Sequence, residues 1–220
     1  MQADQAAGLR RRRTEQPLHC IYCFLDSADH TLQLMQTLHQ RGETALLVDT
    51  RGRLFGHYST RSLFDWKQQL ERGQLQTLPL AQGRGWYAPG VSATEPALRK
   101  AAQAYDHVVF DLERAGDELA LMPDAVQTVL MEIHATEESK QRTYRLIKTL
   151  AHSRTGFSVG LMGDPAACEQ IRMAARHFLE PSLVQAIYNL AQEGDAFAAL
   201  AVRMCAEEAS LATRYKTGQT

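Results

Sequence analysis

Five polar side chains stand where an alternating α/β chain would bind phosphate or a metal. Asp26, His30 and Thr31 lie in the turn Leu25-Asp26-Ser27-Ala28-Asp29-His30-Thr31, directly after an apolar run, and Asp49 and Asp111 each close another apolar run. Carboxylates beside a threonine hydroxyl suit a hard divalent cation, and a strand-to-helix turn can hold phosphate on its backbone N–H groups. Such a cradle needs glycines for close backbone approach, a lysine for the β/γ charge and a Ser or Thr for magnesium. This turn has no glycine and no lysine. His30 takes the lysine's place, only Thr31 has the required type, and Asp26 and Asp29 bring negative charge toward a triphosphate. Like charges a few ångströms apart in a partly desolvated pocket oppose binding strongly. The expectation is no bound cofactor, neither ATP nor magnesium. Asp49 and Asp111 then read as strand-end acids that cap the segments after them.

The elements that would position these groups alternate along the chain. Strands are expected over 18–25, 44–48, 108–112, 127–133 and 157–162, the last clear one, with short extended segments at 75–80 and 86–88. Helices are expected over 31–40, 61–71, 95–105, 137–152, 165–178, 182–192 and 195–211. Leu32, Met35, Leu38 and His39 should form one packing face, and Tyr144, Ile147, Lys148 and Leu150 another. Strands that are apolar throughout, separated by helices of this length, imply a doubly wound, mostly parallel sheet with helices on both faces. The fold class is therefore α/β, with one domain over 18–220 and an N-terminal segment over 1–17.

Other chemistries find little support. Cys20-Ile21-Tyr22-Cys23 matches C-x-x-C, but strand alternation sends residues three apart to opposite faces, and a redox pair would need a helix N-terminus there. His57, His107, His134, His152 and His177 are scattered, with no H-E-x-x-H or G-x-S-x-G. Trp66, Trp86 and Tyr87 read as packing residues before a stacking surface. A formal net charge of −1 over 220 residues gives no reason to expect nucleic acid as a direct partner. Met1 to Pro17 holds no hydrophobic run and no stretch approaches a membrane span, so a cytoplasmic protein with reduced thiols is expected. Phe197, Leu200, Ala201, Met204 and Leu211 form an apolar stripe, yet Glu207 and Glu208 make that segment acidic. Such a helix should pack on the domain or on a protein, without strong membrane binding.

The N-terminus is the one uneven region. Asp4 is a plausible N-cap, Ala6 and Ala7 favour helix, and Leu9 can anchor one face of a short helix. Such a helix is marginal alone and would order on a partner, leaving Gln5 and Arg10 for polar contacts. Arg11, Arg12 and Arg13 extend the basic block.

Asp4-Gln5-Ala6-Ala7-Gly8-Leu9-Arg10 resembles the D-Q-A-x-x-L-R tag of the FlhG/FleN family, MinD/ParA-like P-loop ATPases that control flagellar number. Further segments are similar to that family in order and spacing: Ala45-Leu46-Leu47-Val48-Asp49, Tyr105-Asp106-His107-Val108-Val109-Phe110-Asp111, and Ile133-His134-Ala135-Thr136-Glu137-Glu138 with Tyr144-Arg145-Leu146-Ile147-Lys148. The chain departs from the pattern in lacking the Walker A loop, and the stretch after Met162 looks too short for the strand that carries adenine contacts. The resemblance implies a degenerate MinD-like (SIMIBI-type) domain, a pseudo-ATPase adaptor whose tag engages an FlhF-like GTPase or flagellar assembly proteins. It implies that Asp4, Gln5, Ala6, Leu9 and Arg10 touch the partner, with Gln5 at the partner's nucleotide site. Asp26, His30, Thr31, Asp49 and Asp111 form the degenerate nucleotide site. A homodimer and recruitment to the cell pole stay open. So do two other readings: a scaffold for another polar or envelope process, and an ATPase in which His30, Thr31, Asp49 and Asp111 hold Mg-ATP.

Overall fold

Aliphatic and β-branched runs with no polar alternation must bury both faces, and they do so here as a parallel sheet covered on each side. The computed structural model describes residues 18–49, 51, 53–54, 77–79, 98–99, 102–113, 121–122, 125–152 and 156–204. Its strands are β1 (His19–Phe24), β2 (Ala45–Asp49), β3 (Thr77–Pro79), β4 (His107–Asp111), β5 (Val126–Ile133), β6 (Ser158–Gly163) and β7 (Ile187–Asn189). They lie in the order β3-β2-β4-β1-β5-β6-β7, and every pairing is parallel. Among the described residues the helices are α1 (Ala28–Gln40), α2 (Glu137–Ala151), α3 (Pro165–Phe178) and α4 (Pro181–Gln185), with helical residues also at 98, 99 and 102, inside the expected helix over 95–105, and over 196–204. The expected α/β, doubly wound architecture is what the chain adopts.

Strand alternation divides the core into two layers. Ile21, Cys23, Leu47, Val109 and Leu130 face Leu34 and Leu38 of α1 and Phe197, Leu200 and Met204 of the stretch over 196–204. Cys20, Tyr22, Phe110, Val129 and Met131 face Ile147 and Leu150 of α2 and Ile171 and Ala175 of α3. Tyr22 stacks on Phe110 at 5.0 Å between centroids, and its hydroxyl accepts from the Met122 N–H at 2.8 Å. The apolar C-terminal stripe thus packs on the domain through its described part; Leu211 lies outside the described residues.

Three helices begin where a short polar side chain caps them. Ser27, Thr136 and Asp164 accept from Asp29, Ser139 and Ala167 N–H respectively. The cap at Ser27 starts α1 three residues before the expected boundary, and its packing face is Thr31, Leu34 and Leu38, with Leu32 and His39 of the expected face exposed. In α2 the buried positions are Ser139, Thr143, Ile147 and Leu150, and Lys148 is exposed.

The expected helix over 182–192 is a correction. α4 stops at Gln185, and Ile187-Tyr188-Asn189 joins the sheet as edge strand β7 beside β6. Two β-favouring residues that bury onto Leu161 and Leu190 outweigh the helical spacing of so short a run. β6 is therefore not the last strand, and the stretch after Met162 is long enough to carry another. The expected helix over 61–71, the segment 86–88, Trp66, Trp86, Tyr87 and the N-terminal tag lie outside the described residues.

Cys20 and Cys23 sit on opposite faces of β1, each fully buried, so they form no redox pair. Burial pushes the Cys20 and Cys168 thiols from the ordinary 9.0 up to about 12, and raises Cys23 further with the help of the nearby Asp111 charge. In a Cys205→Ser background, these thiols should resist an aromatic disulfide reagent at pH 8 until the chain is unfolded. Because the folded thiols keep protons that unfolded ones release, their contribution to stability should be constant below pH 9 and fall as pH rises toward 12. Urea melts across that range check the sign; stability that rises with alkaline pH would contradict the burial.

Candidate functional site at the carboxyl edge of the sheet

β1 connects onward to β2 on one side, while β4 connects to β5 on the other, so the winding reverses around β1. In open α/β sheets the crevice at such a reversal, beyond the carboxyl ends of the strands, is where ligands bind. Asp49 and Asp111 are register partners at the ends of β2 and β4, and Cys23 is paired with Asp111 from β1. Thr31, Asp49 and Asp111 are all fully buried here, and the turn carrying Asp26 and His30 folds over the same edge. Of the five expected residues, Thr31 and Asp111 are hydrogen-bonded to each other, and Asp26 and His30 share the carboxylate of Glu132.

An arginine that sequence reasoning passed over fills the centre. Arg53 Nε donates to Asp111 Oδ2 at 2.8 Å and Nη2 to Asp111 Oδ1 at 2.6 Å, a bidentate fork. Nη1 also donates to the Asp26 carbonyl at 2.6 Å, and Nη2 to the Leu25 carbonyl at 3.0 Å and to Thr31 Oγ1 at 3.4 Å. Thr31 Oγ1 in turn donates to Asp111 Oδ1 at 3.0 Å. Arg51 Nη1 adds a second donor to the Leu25 carbonyl at 2.9 Å. The Asp49 carboxylate accepts from the backbone N–H of Arg53 at 3.3 Å and of Leu54 at 2.9 Å, so it caps this segment as expected and holds Arg53 in place.

The turn's other side is engaged by acids and imidazoles. Glu132, near the end of β5, accepts from the Asp26 N–H at 2.9 Å, and His30 Nδ1 lies 3.0 Å from the same carboxylate oxygen. His134 Nε2 meets Asp26 Oδ2. Of the two turn acids, Asp26 is the one that bonds to Arg53, Glu132 and His134, while Asp29 lies exposed in the first turn of α1. Glu132 and Arg53 had weak signals in the sequence: an acid inside an apolar strand, and a cation four residues past a strand-end aspartate.

The polarity of the turn follows from these contacts. A phosphate cradle turns N–H groups toward an anion. Here the Leu25 and Asp26 carbonyls turn toward a cation, and the Asp26 N–H is bound to the chain's own carboxylate. His30, in the lysine's position, meets the chain's own Glu132 carboxylate. No group of three or more metal-ligating side chains with suitable geometry occurs among the described residues. No helix of the described residues is long and apolar enough to cross a membrane.

With Asp111 fully buried and Arg53 only 17% exposed, removing one partner strands a buried charge. Arg53→Met and Asp111→Asn should each destabilise the chain by about 3–5 kcal/mol. Their double-mutant cycle in urea should give a coupling of roughly 1–3 kcal/mol. Additive effects would mean that the fork contributes nothing beyond its separate parts.

No protein-family model matches the sequence, and no curated protein is similar to it. Among solved structures, the chain is similar to the hydrogenase maturation factor HypB from Archaeoglobus fulgidus. Identity is 11%, with 90% of this chain and 93% of that chain covered and a TM-score of 0.49. A likeness of that size says nothing of activity, substrate or partner.

Proposed function

We propose that this chain is a nucleotide-independent adaptor of the FlhG type: a pseudo-ATPase domain that presents its N-terminal tag to an FlhF-like GTPase and so regulates flagellar number or placement. The observation that carries the first half is the self-satisfied turn. Arg53 takes the carbonyls of Leu25 and Asp26, and Glu132 takes the Asp26 N–H. Magnesium and triphosphate do not fit these residues. The hydroxyl of Thr31 and the carboxylate of Asp111 already serve Arg53, and the turn has neither glycine nor lysine. An anion entering would have to break a buried fork and meet carbonyl oxygens instead of amides.

The second half rests on the resemblance of Asp4-Gln5-Ala6-Ala7-Gly8-Leu9-Arg10 to the family's tag. What supports it topologically is the point of attachment. The tag joins the domain through Leu18, before β1, at the amino edge of a wholly parallel sheet, whereas the crevice lies at the carboxyl edge. Six strand residues put about 20 Å between the two. A partner reading the tag has no need of the crevice.

Calorimetry of the full chain with magnesium and ATP, and with GTP, should show no saturable binding. A peptide spanning residues 1–13 should raise the GTPase rate of an FlhF-type domain, and Gln5→Ala should abolish that rise while keeping most of the binding. Leu9→Ala should weaken binding by about 1.5–3 kcal/mol, the range for one buried aliphatic side chain. Magnesium-dependent ATP binding would replace the pseudo-ATPase with a working site. Equal GTPase rates with intact and tag-deleted chains, where the two proteins demonstrably associate, would leave a MinD-like scaffold for another process.

A further inference from the structure

We propose that the crevice is a guanidinium receptor, with Arg53 as its resident ligand, and that this occupant sets the β1–α1 turn in place of a nucleotide. The inference deepens the reading of the crevice as closed to triphosphate and rests on it. What it adds is the chemical class that the site does recognise.

The acceptors match a planar fork and no simpler cation. The two Asp111 oxygens lie 2.8 and 2.6 Å from Nε and Nη2, the bidentate pairing that guanidinium makes with carboxylate. The remaining N–H groups meet the Asp26 carbonyl at 2.6 Å, the Leu25 carbonyl at 3.0 Å and Thr31 Oγ1 at 3.4 Å. An ammonium group has three donors in a compact cone and could serve only part of this spread. The acceptors belong to three different places: the carboxyl end of β4, the turn after β1, and the first turn of α1. A single guanidinium therefore ties the turn and the helix start to the central sheet. Asp49 fixes the backbone of residues 53 and 54, so the ligand is delivered by a segment that is itself anchored.

The test is chemical rescue in the full chain. Arg53→Ala should lower the melting temperature by several degrees and raise amide hydrogen exchange over residues 26–31. Millimolar methylguanidinium should restore at least half of both losses in a saturable way. Methylammonium, magnesium and Mg-ATP should restore neither, and none of the four should stabilise the wild-type chain, whose receptor is filled. Substitution without loss, loss that nothing rescues, or equal rescue by methylammonium would each overturn the proposal. Rescue of the variant by Mg-ATP, with no binding to wild type, would overturn it while leaving the adaptor reading intact. Mg-ATP binding to wild type would instead sink the adaptor reading. Should Arg53→Ala fail to fold, Arg53→Gln carries the same series. In the wild-type chain, the Arg53 Nε–H resonance should exchange slowly with water, and fast exchange would count against a bound fork.

Discussion

The fork between Arg53 and Asp111 is the constraint around which the carboxyl edge of this sheet is arranged. Asp111 ends β4 with no exposure to solvent, and a carboxylate so placed must find a cation or take up a proton. Arg53 meets that need from one side and uses its other donors on the carbonyls of Leu25 and Asp26. Thr31, in the first turn of α1, can then turn its hydroxyl inward toward the same carboxylate. Without a cation at this point, a buried acid, two inward carbonyls and a buried hydroxyl would all face one another. The conformation of the turn and the charge on Asp111 are thus one problem with one solution.

The opposite flank of the turn solves the complementary problem. A backbone N–H left facing a crevice needs an acceptor, and Glu132 supplies it from β5. That carboxylate is itself shielded and shared with His30, while the more exposed Asp26 carboxylate is matched by His134. Within a few residues the turn carries a cation on its carbonyl side and an anion on its amide side, both from this chain. An external phosphate would need the amide that Glu132 already holds, and an external metal would meet the Asp111 carboxylate that Arg53 already holds. That the carbonyls of Leu25 and Asp26 face a cation is a stronger statement than the lack of glycine, because it concerns where the backbone dipoles point.

The layered fold was legible because its signal is physical and local. Runs such as Cys20-Ile21-Tyr22-Cys23-Phe24-Leu25 have no polar alternation, and their shortness and aromatic content favour a strand covered on both faces. β7 was not legible: Ile187-Tyr188-Asn189 is too short to show a period, and only its neighbour β6 decides its state. In the crevice, Thr31, Asp49 and Asp111 could be placed because strand ends and helix starts can be counted along the chain. Arg53 and Glu132 could not, since their roles come from contacts 58 and 106 residues away in sequence. Asp26 illustrates the limit well. Its charge was readable, but the direction of its carbonyl and N–H, on which the chemistry turns, is a property of the folded turn alone.

A parallel sheet separates what enters it from what it can bind. Leu18 and the tag before it join at the amino edge, where the buried side chains of His19, Thr128 and Ser158 form a chain of hydrogen bonds of 2.8 and 3.0 Å across β1, β5 and β6. On the same edge His107 Nε2 meets Glu43 at 2.9 Å, and Asp106 takes the N–H and hydroxyl of Thr44 at 2.7 Å. These contacts cross-link strand beginnings independently of the crevice at the other edge. Coupling between two sites requires an element with two arrangements that both sites bias. Here the crevice end is tied by a buried fork and the amino end by a polar ladder, and the strands between are packed on both faces. A domain tied in this way at both ends has no second arrangement through which a ligand at the crevice could act on the amino edge.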